Sequence, residues 1–270
     1  MENSWIRGKT IVVCGAGNGL GKYLSYTLIS EYNCQVKGID IDEKSLINLN
    51  NLSKEIGDNF EYYAFDAKVE NNWINFANVM NEKKITIDIL INCIGQTPKF
   101  NNFNLYASKE INQIMATNLY SCIFATKALY ENMKKSRCPS IINMCCSAVN
   151  TAVPGTSIYS ASKSALKSYT EVLQQELDNF YVGLFILGII NTSFWKNQDE
   201  VLQKKIAKKA MSMQTACNKV IKCMCKKKKR AVIGFDAYVT DRLSRLMPYK
   251  AKGFFNKILN RHKVRIIDNN

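Results

Sequence analysis

Tyr159 and Lys163 stand four residues apart in Tyr159-Ser-Ala-Ser-Lys163. On a helix that spacing puts a phenol and an ammonium on one face, a turn apart. An unperturbed tyrosine titrates at ~10 and is a poor base near neutrality, but an adjacent cation and a helix N-terminus both favour its phenolate. Such a phenol can give a proton to a carbonyl being reduced or take one from an alcohol being oxidised. The pair also recurs on solvent-facing helices, so it needs a partner that supplies the hydride.

Cys14-Gly-Ala-Gly-Asn-Gly-Leu-Gly21 offers that partner a seat. Gly15, Gly19 and Gly21 permit a tight strand-to-helix turn whose backbone N–H groups approach a pyrophosphate. Asp40 closes the second strand-like run, 25 residues beyond Gly15. A carboxylate there binds an adenosine ribose 2′-OH and repels a 2′-phosphate, which favours NAD(H) over NADP(H).

The elements that must hold these residues alternate along the chain. Apolar runs at Thr10–Cys14, Gln35–Ile39, Phe60–Phe65, Ile87–Cys93, Ser140–Cys145, Val182–Ile190 and Ala231–Phe235 read as strands. Helical patterns separate them at Leu20–Ser30, Glu43–Ile56, Asn72–Asn81, about 110–135, about 159–180 and the Lys-rich stretch from 193 to 229. This predicts an α/β, doubly wound (Rossmann-type) parallel sheet with helices on both faces, its strands nearly continuous in apolar residues because both faces are buried.

With its Gly-x-x-x-Gly-x-Gly turn and Tyr-x-Ala-Ser-Lys-x-Ala-Leu helix, the sequence resembles the classical short-chain dehydrogenase/reductase family over almost its whole length. The resemblance implies seven strands, a homodimer or homotetramer, and a dinucleotide held by Gly15, Asn18, Gly19, Leu20 and Gly21 at the phosphates. It also implies that Asp40, Asp66 and Ala67 hold the adenosine, while Asn92 and Gly95 follow the fourth strand. Gly188, Ile190 and Thr192 follow the sixth, and Tyr159 and Lys163 reach the nicotinamide ribose. NADP-preferring relatives carry a basic residue where this chain has Asn18 or Ile41. Asn118 completes the family's Asn-Ser-Tyr-Lys tetrad by organising a relay water, or is a satisfied buried amide.

Three departures accompany the match. Cys93 and Ile94 replace the middle of the Asn-Asn-Ala-Gly element, and Leu187 replaces the proline before Gly188. Cys146 occupies the serine position, 13 residues before the tyrosine. A thiol is the weaker donor, so either Cys146 serves a slower enzyme, or Ser147 substitutes, or catalysis is lost and the chain is an NAD(H)-binding sensor or scaffold.

The resemblance gives a domain over 1–235 with a substrate lid at 193–215. Phe194, Trp195, Met211 and Met213 either line that lid or simply pack; as lining, they suit lipophilic alcohols, ketones and aldehydes. Residues 236–270 are expected as an extension of two amphipathic helices split near Pro248, with Leu243, Leu246 and Met247 on one and Phe254, Phe255, Ile258 and Leu259 on the other.

Charge singles out that tail. Residues 201–270 hold 19 Lys+Arg against 3 Asp+Glu, whereas residues 1–200 are nearly balanced at 18 against 19. The tail packs on the domain or a partner subunit, or lies on an anionic membrane surface; no base-stacking module points to nucleic acid. The 270 residues, 47% hydrophobic, suffice for a substantial core. The longest apolar run, Tyr181–Ile190, falls short of the ~20 residues a membrane span needs. Ten cysteines scattered through apolar stretches, without paired spacing or a nearby histidine, argue for reduced thiols and against a metal site. A cytoplasmic protein, with or without peripheral membrane contact, is the expectation.

Overall fold

Strands form where short β-rich apolar runs are bounded by Gly, Asn or Asp, and helices where apolar residues recur at three- and four-residue spacing. In chain order the elements are β1 (Thr10–Cys14), α1 (Gly19–Tyr32), β2 (Gln35–Asp40), α2 (Glu43–Lys54), β3 (Phe60–Ala64), α3 (Glu70–Glu82) and β4 (Ile89–Asn92). Then follow α4 (Ser108–Met115), α5 (Ser121–Met133), β5 (Ser140–Cys146), α6 (Ser157–Glu176), β6 (Tyr181–Leu187), α7 (Glu200–Lys209), α8 (Met213–Cys225), β7 (Arg230–Ile233) and α9 (Phe235–Leu246). The computed structural model describes residues 4–151, 153–248, 250, 251 and 253.

The seven strands form one parallel sheet in the order β3-β2-β1-β4-β5-β6-β7. Alternation along β1 shows how both faces fill. Ile11 and Val13 point to a core closed by Leu24 and Leu28 of α1, Leu46 of α2 and Val220 of α8. Val12 and Cys14 point to the opposite core, closed by Trp73 of α3, Leu129 of α5 and Leu173 of α6. The doubly wound fold expected from the sequence is thus the fold observed.

Winding reverses between β1 and β4, so their carboxyl ends diverge and leave a crevice, the usual ligand position in such sheets. β1 is followed by a sharp turn in which Gly15 adopts φ 88°; a Cβ there would stand 3.0 Å from the Ile94 backbone nitrogen after β4.

Two expectations need correction. The long helix from about 110 to 135 is interrupted by a π-helical turn, Ala116–Tyr120, between α4 and α5. The sixth strand ends at Leu187 instead of Ile190, because the Asp236 carboxylate takes the Ile189 N–H at 2.8 Å.

α9 is fastened to the sheet. Its inward Ala237 and Asp241 are buried, and Asp241 binds the Arg230 guanidinium and the Asn150 amide. Burial alone would raise the Asp241 carboxyl, but Arg230 holds it below the usual range. The second expected terminal helix, with Phe254, Phe255, Ile258 and Leu259, lies outside the described residues. Among the described residues no helix is long and apolar enough to cross a membrane.

Candidate active site

A cleft of about 780 Å³ opens at the carboxyl ends of the strands. Its near half is built by β1–β3. Gly15, Asn18, Gly19 and Leu20 line it where α1 begins, and space for a Cβ at Gly19 is open. No side chain caps the helix N-terminus, since the Asn18 amide reaches Asp42 and Ser45 instead. An uncapped N-terminus beside glycines is a cradle for a phosphate.

Asp40 leans over this turn, accepting the Gly17 N–H at 2.9 Å and the Asp42 N–H at 3.1 Å. Ile41, Asp66 and Ala67 continue the wall. Asp66 is held by the Lys68 ammonium and N–H, which keep its carboxyl low despite burial.

Gly21 is not part of the lining. It sits behind the turn, where a Cβ would come within 2.0 Å of the Gly15 carbonyl oxygen. Its role is to let α1 pack on the turn. Gly21→Ala should therefore cost at least about 1–3 kcal/mol of stability, the range for overpacking, and weaken dinucleotide binding. Urea unfolding and a fluorescence titration with NADH check both.

The far half comes from β4–β6. Tyr159 and Lys163 descend from α6, buried and facing the cleft. Cys146, at the end of β5, lines the same cleft as the Tyr159 phenol. Burial, then Cys146, pushes the phenol well above its ordinary value. Burial also raises Cys146, although Tyr159, Lys163 and the Ala148 and Val149 N–H groups oppose it.

The Lys163 ammonium is drawn to the Met144 carbonyl at 3.3 Å and the Ile94 carbonyl at 3.5 Å. Gly95 leaves room for it, since a Cβ would stand 3.2 Å from Nζ. Ser147 also lines the cleft, and Cys146 is the neighbour that raises the tyrosine most after burial.

Asn118 and Asn92 sit behind the lining. The π turn swings the Asn118 side chain toward the loop after β4, where it accepts the Gln96 N–H at 2.7 Å and donates to Gln96 O and Ser162 Oγ. Its Oδ1 accepts one bond and its Nδ2 donates two, so the side chain is a satisfied buried amide. Asn92 donates to Asn143, which donates to Thr170; this buried chain ties β4 through β5 to α6.

Gly188, Ile190 and Thr192 line the cleft after β6. Thr192 Oγ1 accepts the Phe194 N–H, and Ile190 O accepts the Trp195 indole. Phe194 lies over the Tyr159 ring, with centroids 5.7 Å apart, and Trp195 packs between Phe194 and Phe100. Phe194 and Trp195 therefore line the site, whereas Met211 and Met213 turn to the core beneath α1 and α8.

Sequence reasoning missed the latch between the segment after β6 and the loop after β4. Gln198, 6% exposed, accepts the Phe100 N–H at 3.0 Å and donates to Pro98 O at 2.8 Å, while Asn197 donates to Thr97 O at 3.2 Å. No motif advertises these two amides. Asp236 was visible within Gly234-Phe-Asp-Ala237, yet its task of holding the loop after β6 was not.

A family model for short chain dehydrogenases matches residues 9–203, which covers most of the chain and the elements from β1 to β6. The chain is a short-chain dehydrogenase. Among curated relatives of this dehydrogenase, the ketoacyl reductase HetN of Nostoc sp. is 28% identical over 244 residues, 90% of this chain and 84% of that protein. The 3-oxoacyl-[acyl-carrier-protein] reductase FabG of Buchnera aphidicola is 30% identical over 203 residues, 74% of this chain and 81% of that one. The dehydrogenase also superposes on a short-chain dehydrogenase from Burkholderia cenocepacia solved with NADP, with TM-score 0.77, 20% identity and coverage of 91% and 96%. A Burkholderia phymatum enzyme solved with NAD gives TM-score 0.76 at 15% identity, covering 84% and 89%. The protein is an oxidoreductase of this family.

The ten cysteines are free thiols. Among the described residues no group of His, Cys, Asp and Glu gathers to hold a metal.

Proposed function

We propose that the enzyme interconverts a lipophilic alcohol and its ketone or aldehyde with NAD(H), Tyr159 acting as general acid and base. The observation that carries this reading is the buried Tyr159 phenol in the same cleft as the open α1 cradle, with Lys163 one turn behind it. When bound, the nicotinamide supplies or accepts the hydride.

The chain's own residues do the rest. The α1 N-terminus and its glycines hold the phosphates, Asp40 the ribose hydroxyls, and Asp66 with Ala67 the adenine edge. Gly188, Ile190 and Thr192 support the carboxamide end. Because burial keeps Tyr159 protonated, the ligand-free site is set to donate a proton to a carbonyl oxygen. Cys146 adds a weak second donor beside it. Phe194 and Trp195 exclude water above the phenol and favour an apolar substrate. The names of two relatives add 3-ketoacyl esters to the substrates worth trying. A homodimer or homotetramer remains part of this reading.

The test is a titration with NADH and NADPH followed by a panel of ketones, aldehydes, alcohols and 3-ketoacyl thioesters. Tight binding with no turnover on any of them would instead support a dinucleotide sensor. Cys146→Ser supplies a stronger donor at the same point; it should preserve kcat or raise it by up to about tenfold, the size of one improved hydrogen bond. Steady-state rates with a turned-over ketone check this.

A further inference from the structure

α9 has an outer face of the wrong polarity for a solvated helix. Phe235, Tyr238, Arg242, Arg245 and Leu246 recur at helical spacing on one stripe, and all are exposed, Phe235 at 83% and Leu246 at 77%. The Arg242 guanidinium lies over the Tyr238 ring at 5.2 Å. The helix's two acids turn inward, Asp236 to the Ile189 N–H and Asp241 to Arg230, Asn150 and, at 3.5 Å, the stripe's Arg245. The outward stripe is therefore apolar and cationic, with no carboxylate on it. A surface helix ordinarily hides such residues and exposes polar ones.

We propose that this stripe docks on an anionic lipid surface. Aromatic and aliphatic side chains between arginines match the boundary between lipid headgroups and acyl chains. The charge fits as well: from residue 201 onward bases outnumber acids 19 to 3, and two of those acids are the inward Asp236 and Asp241. A second copy of the chain fits less well, since a two-fold interface would set the stripe against itself and oppose its guanidinium groups. Position gives the docking a use. Asp236 holds the loop after β6 and Asp241 the segment after β5, so the helix abuts the cleft wall on two sides. A membrane on its outer face brings the substrate mouth near the phase in which a lipophilic substrate dissolves. That use rests on the substrate reading above, whereas the docking itself does not.

The experiment is flotation of the full chain with vesicles of phosphatidylcholine alone and of phosphatidylcholine mixed with phosphatidylserine. Wild type should float with the mixed vesicles and much less with the neutral ones, and added salt should weaken it. Phe235→Ser combined with Leu246→Ser, and separately Arg242→Glu, should each lower partitioning by roughly tenfold. Thermal melting and turnover of a water-soluble ketone should be unchanged in these variants, which separates loss of docking from loss of fold or of chemistry. The proposal is overturned if wild type stays with neither vesicle or if the variants float as wild type does, because attachment would then lie elsewhere. It is equally overturned if light scattering shows a dimer that the variants dissociate, since the stripe would then be an interface between copies.

Discussion

Tyr159→Phe should lower kcat by roughly 10²- to 10⁴-fold, the contribution of a positioned proton donor, while leaving NADH affinity within about twofold. The ring fills the same space and keeps its contact with Phe194, so packing is conserved. What disappears is the hydroxyl, the proton donor in the cleft. Burial opposes the phenolate, and no nearby group in the described structure can replace the lost proton at that point except the Cys146 thiol, itself raised by burial. Pre-steady-state reduction monitored at the NADH absorbance, with a parallel binding titration, separates the two quantities. Full activity in this variant would remove the basis for the proposed chemistry.

The second large effect concerns the other end of the cleft. Asp40→Ala should shift the NAD(H)-to-NADP(H) preference, measured as the ratio of kcat/KM values, toward NADP(H) by about ten- to a hundredfold. That is 1–3 kcal/mol, a screened fraction of the repulsion between a carboxylate and a phosphate at close range. The carboxylate is fixed by the Gly17 and Asp42 N–H groups, so it cannot swing aside to admit a 2′-phosphate. The absence of a basic side chain at Asn18 and Ile41 limits how far NADP(H) can gain. An unchanged ratio would contradict the assignment.

The sequence made the sheet legible because its strands are buried on both faces and read as unbroken apolar runs between turn residues. The cradle was legible because few arrangements other than a phosphate turn need glycine at 15, 19 and 21. The same pattern could not separate the two tasks of those glycines: Gly15 and Gly19 face the cleft, whereas Gly21 is needed for packing behind it. Helical periodicity hid the π turn, since one extra residue in a turn disturbs the apolar spacing too little to show. That turn decides what Asn118 bonds, so its pairing with Gln96 and Ser162 was not legible either. The lysine's main-chain partners were hidden for a related reason. Spacing places it beside the tyrosine, but only the tertiary fold brings two strand-end carbonyls within its reach. The latch formed by Asn197 and Gln198 depends on loops a hundred residues apart in sequence, which no local pattern reports.

Gly188 and Asp236 meet so closely that a Cβ on the glycine would fall 2.1 Å from the carboxylate. The loop after β6 is thus keyed into the start of the terminal helix like a tenon in its socket. Removing the chain from Phe235 onward would leave the glycine-turn half of the cleft whole and set the opposite wall adrift, so the last described helix is a strut for that wall before it is anything else.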